Sequence, residues 1–556
     1  MHHGVILKYD DAGALENECP RGSSQPTDDA RRDYSGFAND IGRTAHVWSR
    51  DGGAGTGTAN GGGAARATSP DGWARPQRAL PRGERVVMHP RRGQGARDSA
   101  DVIVIGGGLA GLAAAGELGE RAMVLEADSR PGGLVRSERF GDYWFDRVIH
   151  LLYFPDPLVE QRVRALLGDA LAPTRAEAWV ECAAGVVRYP FQMHLGGLDR
   201  ETAMRCVADL ASVTFAPSAL RAPHFEAWLR EHFGEAMCRA FLFPYNRKVW
   251  RRPLDTLAPT GFTWTITRPD FAEVLRGVRD PERRFESYNA RGFYPRPPEG
   301  APVRGMEVLS RALATEVRDL RVGHRVEEID LDARTVTARV GGERVELSYR
   351  DACLATAPLP VIVSMCRQAP LALRTACRSL VRNRVLSVAL SIRGPRPVGR
   401  GHWRYYADES VAFTRLIYQH EFDPDSAPAD GWGLLVEVVE RAEDPRGDDA
   451  AWIARVSEDV RRVGALPEGC TIVDAHVLLI DPAYVVFTPE SEAVVASARE
   501  FLRGRDVVPL GRYGRWEYSS MAQVMRDGYR AGEELNARHR AESAALEPAL
   551  ARRIAL

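Results

Sequence analysis

The stretch "DVIVIGGGLAGLAAAGELGERAMVLEADSRPGGLVRS", Asp101 to Ser137, decides the fold. A run of buried-type residues at Asp101–Ile105 reads as a strand, the Ala-rich run at about Leu109–Leu118 as a helix, and Ala122–Glu126 as a second strand. Together they start a βαβ unit. Gly106, Gly108 and Gly111 complete G-x-G-x-x-G between the strand and the helix. That spacing serves a tight turn, close backbone approach to a pyrophosphate, and close helix–strand packing, with the helix N-terminus facing the phosphates. Glu126 lies 20 residues after Gly106, where a carboxylate accepts ribose hydroxyls. A lone G-x-G-x-x-G is weak, but two strands, a helix and an acid in register point to a bound dinucleotide.

Composition excludes several classes. The 556 residues are 44% hydrophobic and 27% charged with a formal net charge of -1, the profile of an ordinary globular chain of two or three domains. Nothing in it suggests a nucleic-acid surface or a polybasic membrane patch. No apolar run approaches the length of a membrane span, and "MHHGVILKYDDAGALENECP" lacks the basic start and apolar stretch of a secretory signal. The eight cysteines are scattered without a CxxC pair, so reduced thiols and a cytoplasmic location are expected. No metal-ligand spacing is visible. Only two lysines occur, Lys8 and Lys248.

Residues 1–98 are rich in Gly, Arg, Ala and Pro without apolar period, and read as a disordered tail or as sequence upstream of a translation start at Met88. Beyond them the pattern is α/β. A mostly helical stretch is expected at about 199–280, a β-meander returning to a buried strand at 322–358, more strands within 384–440 and 471–486, and a closing helix at about 520–545.

After Glu126 comes "ADSRPGGLVRS", with the doublet Gly132-Gly133. This extension resembles the FAD-binding signature of the amine oxidase, protoporphyrinogen oxidase and UDP-galactopyranose mutase superfamily. "GRYGRWEYSSMAQVMRDG", residues 511–528, resembles that superfamily's other flavin-contacting segment. The resemblance implies FAD as cofactor and an α/β fold: a discontinuous Rossmann-type FAD domain with an inserted helical domain and a mixed β-sheet substrate domain. It divides the chain into FAD-binding parts at 99–180, 301–365 and 496–545, a helical and substrate-domain insertion at 181–300, a substrate-binding sheet domain at 366–495, and a tail at 546–556. It assigns coenzyme contacts to Gly106, Gly108, Gly111, Glu126, Arg130, Gly132, Gly133, Val326, Arg512 and Met521.

Within the superfamily, ordered blocks look most like the mutases. "FDRVIHLLYFPDP" resembles the block that places a histidine beside the flavin, here His150. "FPYNRKVW" resembles Y-x-x-K-x-W, giving Tyr245 against a uracil and Trp250 against the substrate. "TRPDF" supplies Arg268, "FTRLIYQHEF" Arg415, "DPAYVVF" Tyr484, and "GRYGRWEYSSM" Arg512 and Tyr518. By resemblance the two tyrosines and the arginines hold a substrate diphosphate. Such a dianion needs arginine forks and phenol donors, and a flat base needs an aromatic face. Departures exist: Val148 stands where the family has glycine, and Ser520 where it has an acid before Met521.

Three functions follow. The first is a mutase-like flavoenzyme acting on a sugar nucleotide or similar anionic glycosylated small molecule without net redox change. The second is a net oxidase or dehydrogenase of the protoporphyrinogen oxidase or amine oxidase type, with oxygen or an external reductant as partner. The third is a non-catalytic FAD-binding protein. Amine oxidases of this superfamily place a lysine near the flavin, and Lys248, in the Y-x-x-K-x-W block, is the only lysine of the folded region.

Overall fold

The computed structural model describes residues 98–148, 151–216, 221–259, 261, 266–285 and 291–554, with side chains to 544. All belong to the second of two units, Pro81–Leu556. The expectation for 1–98 therefore falls outside the described residues apart from Asp98.

Residues 102–105 of the strand Ser99–Ile105, the strand Ala122–Leu125 and the last residues of Glu343–Ala355 are apolar and buried without a break, as parallel strands covered on both faces must be. They form the middle of a seven-stranded sheet in the order Arg325–Asp330, Thr335–Val340, Glu343–Ala355, Ser99–Ile105, Ala122–Leu125, Asp319–Arg321, with Val507–Pro509 also pairing Glu343–Ala355. Glu343–Ala355 does two jobs. Its first half runs antiparallel to Thr335–Val340, closing the meander, and its second half runs parallel to Ser99–Ile105 and Val507–Pro509. Segments from three distant parts of the sequence thus build one nucleotide-type sheet, as expected of a discontinuous domain.

The helix after the first strand is Leu109–Leu118, and its partner on that face is the closing helix Met521–Ile554. The contact is made by small residues. A Cβ on Gly528 would lie 2.3 Å from the Ala110 carbonyl oxygen, and one on Gly532 would lie 2.7 Å from Glu117 Cβ. Asn536 Nδ2 donates to the Glu117 carbonyl at 2.9 Å, across 419 residues of sequence.

A second seven-stranded sheet runs Thr471–Val486, Val381–Arg393, Gly431–Arg441, Phe413–Tyr418, Trp403–Tyr406, Ala178–Cys182, Gly185–Arg188. It is mixed, because Ala178–Cys182 pairs parallel to Trp403–Tyr406 while the other pairs are antiparallel. Against it stands the helical region: Arg200–Phe215 and Phe271–Arg279, capped by the Asp199 and Asp270 carboxylates, and the helix Phe225–Met237. The latter passes through a π turn, Cys238–Leu242, into Phe243–Trp250. Phe225, Leu229, Phe233, Phe241 and Trp250 bury one face of these helices in a shared core.

A hairpin, Ser137–Phe140 with Tyr143–Asp146, links the two sheets in sequence. Its last residue, Asp146, is 1% exposed. The carboxylate accepts from Ser137 Oγ (2.6 Å), Tyr294 Oη (2.5 Å) and the Met306 amide (2.9 Å). Burial nevertheless pushes its pKa up to about 6 against these bonds. Among the described residues no helix is long and apolar enough to cross a membrane.

Candidate active site

Two glycines of the first turn, Gly106 and Gly111, answer a geometric demand. Gly106 has φ +102, and a Cβ there would fall 2.2 Å from Thr356 Oγ1, which itself donates to the Ile105 carbonyl. A Cβ on Gly111 would fall 2.1 Å from the Gly106 oxygen, so the helix can start close to the strand only without a side chain. Gly108 caps the helix with no side-chain acceptor, and a Cβ there would meet nothing within 4 Å. The first-turn amides therefore take no side-chain cap, the arrangement that receives a phosphate.

Glu126 sits just after Ala122–Leu125. Its Oε2 accepts from the Gly107 amide at 2.7 Å and its Oε1 from the Asp128 amide at 2.8 Å, leaving lone pairs for further donors. The Gly132 amide donates to the Gly107 carbonyl at 2.8 Å, and Gly133, at φ +58, lies against the Gly108 backbone. The two glycine segments thus touch. Val326 is buried on Arg325–Asp330, beside His324, whose amide donates to the Glu126 carbonyl. The Arg130 guanidinium is committed to Glu307 at 2.8 Å and Glu138 at 2.5 Å.

The segment from residue 510 returns to the same place. Leu510 N donates to the Ala355 carbonyl, and a Cβ on Gly511 would lie 3.0 Å from Ala110 Cβ. Ser520 and Gln523 cap the closing helix reciprocally, which fixes Met521 at its first turn. Just before it stands an aromatic wall. The Tyr484 and Tyr518 rings stack at 6.4 Å and 9°, and Trp250 meets them edge-on at 6.3 and 6.2 Å. The Arg512 guanidinium lies 4.4 Å over the Tyr518 ring, with a buried Nε that has no hydrogen-bond partner among the described residues. Tyr245 continues the wall, stacked on Phe241 at 5.1 Å and edge-on to Tyr405 at 5.5 Å. Burial pushes the Tyr245, Tyr484 and Tyr518 phenols up, so they stay protonated donors at neutral pH.

The match to known families is decided at this point. Residues 109–473 fit the family described as "Flavin containing amine oxidoreductase". The chain belongs to that family. Its fold is similar to that of a reduced UDP-galactopyranose mutase, with a TM-score of 0.72, 21% identity, and 79% of this chain and 96% of that chain covered. A candidate protoporphyrinogen oxidase from Exiguobacterium sp. 255-15 superposes at a TM-score of 0.58 with 17% identity, over 80% of this chain and 100% of that one. Wild-type putrescine oxidase bound to putrescine does so at 0.52 with 15% identity, over 79% and 99%. The protein is an FAD-dependent enzyme of the amine oxidase superfamily. The open glycine cradle and the partnerless Arg512 Nε are features that FAD would fill.

In this flavoenzyme the remaining arginines differ. Arg415 is paired in register with Tyr405 on one side and Glu437 on the other. Its Nε and Nη2 are both taken by Glu437, at 2.8 and 2.6 Å. Burial works against its charge, but the Glu437 carboxylate outweighs that and holds its pKa well above the ordinary value. Nη1 and the second N–H of Nη2 remain for a ligand. Arg268 is exposed, 5.7 Å from the Trp228 ring, which is not part of that aromatic wall. His150 lies outside the described residues. Lys248 is buried, and its ammonium donates to the Tyr406 and Asp408 carbonyls at 3.0 and 2.7 Å; burial lowers its pKa to about 8.

Two members of the cleft are not singled out by the sequence reading, Tyr405 and Glu437. Glu437 has a usable signal, since it is the one acid within "GWGLLVEVV". A carboxylate in an otherwise buried strand needs a partner.

Proposed function

We propose that this flavoenzyme acts on a sugar nucleotide, or a similar anionic glycosylated substrate, in a mutase-like cleft and without net redox change. The observation that carries the reading is the wall itself. Trp250, Tyr484, Tyr518 and Arg512 come from three distant segments and meet beside the glycine cradle. Three aromatic faces, phenol donors and a guanidinium with no carboxylate beside it suit a ligand that combines a flat base or sugar ring with negative charge.

In this reading Gly106, Gly108, Gly132, Gly133, Glu126 and Arg512 would hold FAD, which in its reduced form would supply an electron-rich ring to the anomeric carbon. The Tyr484 and Tyr518 hydroxyls donate hydrogen bonds to the departing phosphate oxygens while keeping their protons. Arg512, and the Nη1 of Arg415, balance the charge that develops there. Trp250 and Tyr245 give the sugar and base their faces and exclude water. The second sheet carries substrate recognition and the first carries the coenzyme; Arg268 and His150 are assigned to the substrate and flavin sides by resemblance. Lys248 spends its protons on backbone carbonyls, which supports this reading over an amine oxidase that uses a lysine.

The test is isomerisation of UDP-galactopyranose by dithionite-reduced protein under anaerobic conditions, followed by HPLC while flavin absorbance is monitored. Product formed with the flavin still reduced is expected. Steady peroxide production from an amine or a porphyrinogen, with no isomerisation, would overturn the proposal.

A further inference from the structure

Asn383 stands behind the wall, on Val381–Arg393, and is fully buried. Its main chain is the register partner of Tyr484 on one neighbouring strand and of Arg441 on the other. Its side chain reaches the end of the helix Phe243–Trp250. Nδ2 donates to the Val249 carbonyl at 2.9 Å and to the Trp250 carbonyl at 3.0 Å. Oδ1 accepts from Arg252 Nη1 at 2.5 Å, and the same Nη1 donates to the Trp250 carbonyl at 3.0 Å.

A helix leaves its last carbonyls without intrahelical partners. Here the chain turns sharply at Arg251, in the left-handed region at φ 55, and the Asn383 amide takes two of those carbonyls. Only an amide of this length offers two donors and an acceptor at once; an aspartate would repel the carbonyls and a leucine would bond neither. The indole itself is held from the other side, Trp250 Nε1 donating to Asn246 Oδ1 at 3.0 Å.

We infer that Asn383 is the positioning residue that sets Trp250 against Tyr484, its backbone fixed to the Tyr484 strand while its side chain grips the Trp250 turn. The inference rests on the reading of this wall as the substrate wall, and it names the residue on which the wall's spacing depends. A cap serving stability alone would lower the melting temperature without moving the indole or changing ligand affinity.

The experiment uses the FAD-loaded full chain labelled with 15N-tryptophan. The indole signal of Trp250, one of 11 tryptophans, is assigned by its loss in Trp250→Phe. Asn383→Ala is compared with wild type for that signal and for UDP affinity, read from flavin fluorescence. Arg252→Met, which removes the second donor to the Trp250 carbonyl, serves if Asn383→Ala does not fold. The expected result is a shifted or broadened Trp250 indole with the other tryptophans in place, full FAD content, and UDP binding weakened on the order of tenfold to a hundredfold. The double variant Asn383→Ala/Trp250→Phe should bind UDP no worse than Trp250→Phe. An unmoved Trp250 indole overturns the inference, and so does UDP affinity equal to wild type. A moved indole in a protein whose wild type does not bind UDP upholds Asn383 as the positioning residue and removes the sugar-nucleotide reading instead.

Discussion

Arg415 and Glu437 face one another across adjacent strands, and the structure gives a quantitative expectation for breaking them. The Glu437 side chain is 4% exposed and that of Arg415 18%, and both carboxylate oxygens are occupied by one guanidinium. Arg415→Ala removes two charge-assisted bonds and leaves a buried carboxylate with no counter-charge, at a cost of about 3–5 kcal/mol. Glu437→Ala leaves the mirror problem, a buried guanidinium, at a similar cost. The double variant leaves neither charge, so its destabilisation should fall short of the sum of the singles by about 2–4 kcal/mol. Urea unfolding of the four FAD-loaded proteins, followed by far-UV circular dichroism, measures the cycle. Additivity within about 0.5 kcal/mol, or a single variant costing less than about 1 kcal/mol, would refute a buried, mutually dependent pair. The Arg415→Ala protein should also keep its yellow colour, since the contacts of Arg415 are with Tyr405 and Glu437 and not with the glycine turn; release of FAD would place Arg415 in the coenzyme grip.

Gly111→Ala forces a methyl to within 2.1 Å of the Gly106 oxygen, and should yield protein that purifies with little FAD; full FAD content by absorbance would count against the tight-turn argument. Asp146 titrates at about 6 in the folded chain against 3.8 for a free carboxyl. Between those values the folded state holds the extra proton, so this group's penalty is present above pH 6 and is relieved as pH falls toward 4. Urea midpoints of wild type and Asp146→Asn measured from pH 4 to 7 should converge differently, the variant lacking that slope; parallel profiles would refute it. For Lys248 the sign is opposite. Its folded pKa of about 8 lies below the ordinary 10.5, so the unfolded state holds the extra proton in that window and stability rises with pH between them. Lys248→Met should abolish that rise, and a rise retained in the variant would refute the assignment.

The coenzyme turn is legible in the sequence because Gly106 and Gly111 are demanded by backbone geometry that a side chain would break, and that demand is local. The helix Leu109–Leu118 and the meander are legible for the same reason, through period and turn residues. Trp250, Tyr484, Tyr518 and Arg512 are legible as ordered blocks, and the fold brings these four together. Glu437 and Asn383 are different. Glu437 reads as one acid in an apolar strand and Asn383 as one of three polar residues, Arg382 to Arg384, opening a strand; the meaning of each appears only when strand order is known. The partner of Glu437 is Arg415 because Phe413–Tyr418 pairs with Gly431–Arg441 in that register. The partner of Asn383 is a helix end more than a hundred residues earlier in the chain. Arg268 carries no such packing information, and the structure leaves it exposed over Trp228.

The glycine-on-alanine crossing of Leu109–Leu118 with Met521–Ile554 has a consequence for biogenesis. The phosphate helix is among the first parts of the fold to leave the ribosome, yet its supporting neighbour and the Arg512 segment are translated after every other strand of either sheet. A nascent polypeptide halted anywhere in between carries an intact fingerprint and no complete pocket. Assembly of the complete pocket therefore waits until the closing helix has been translated.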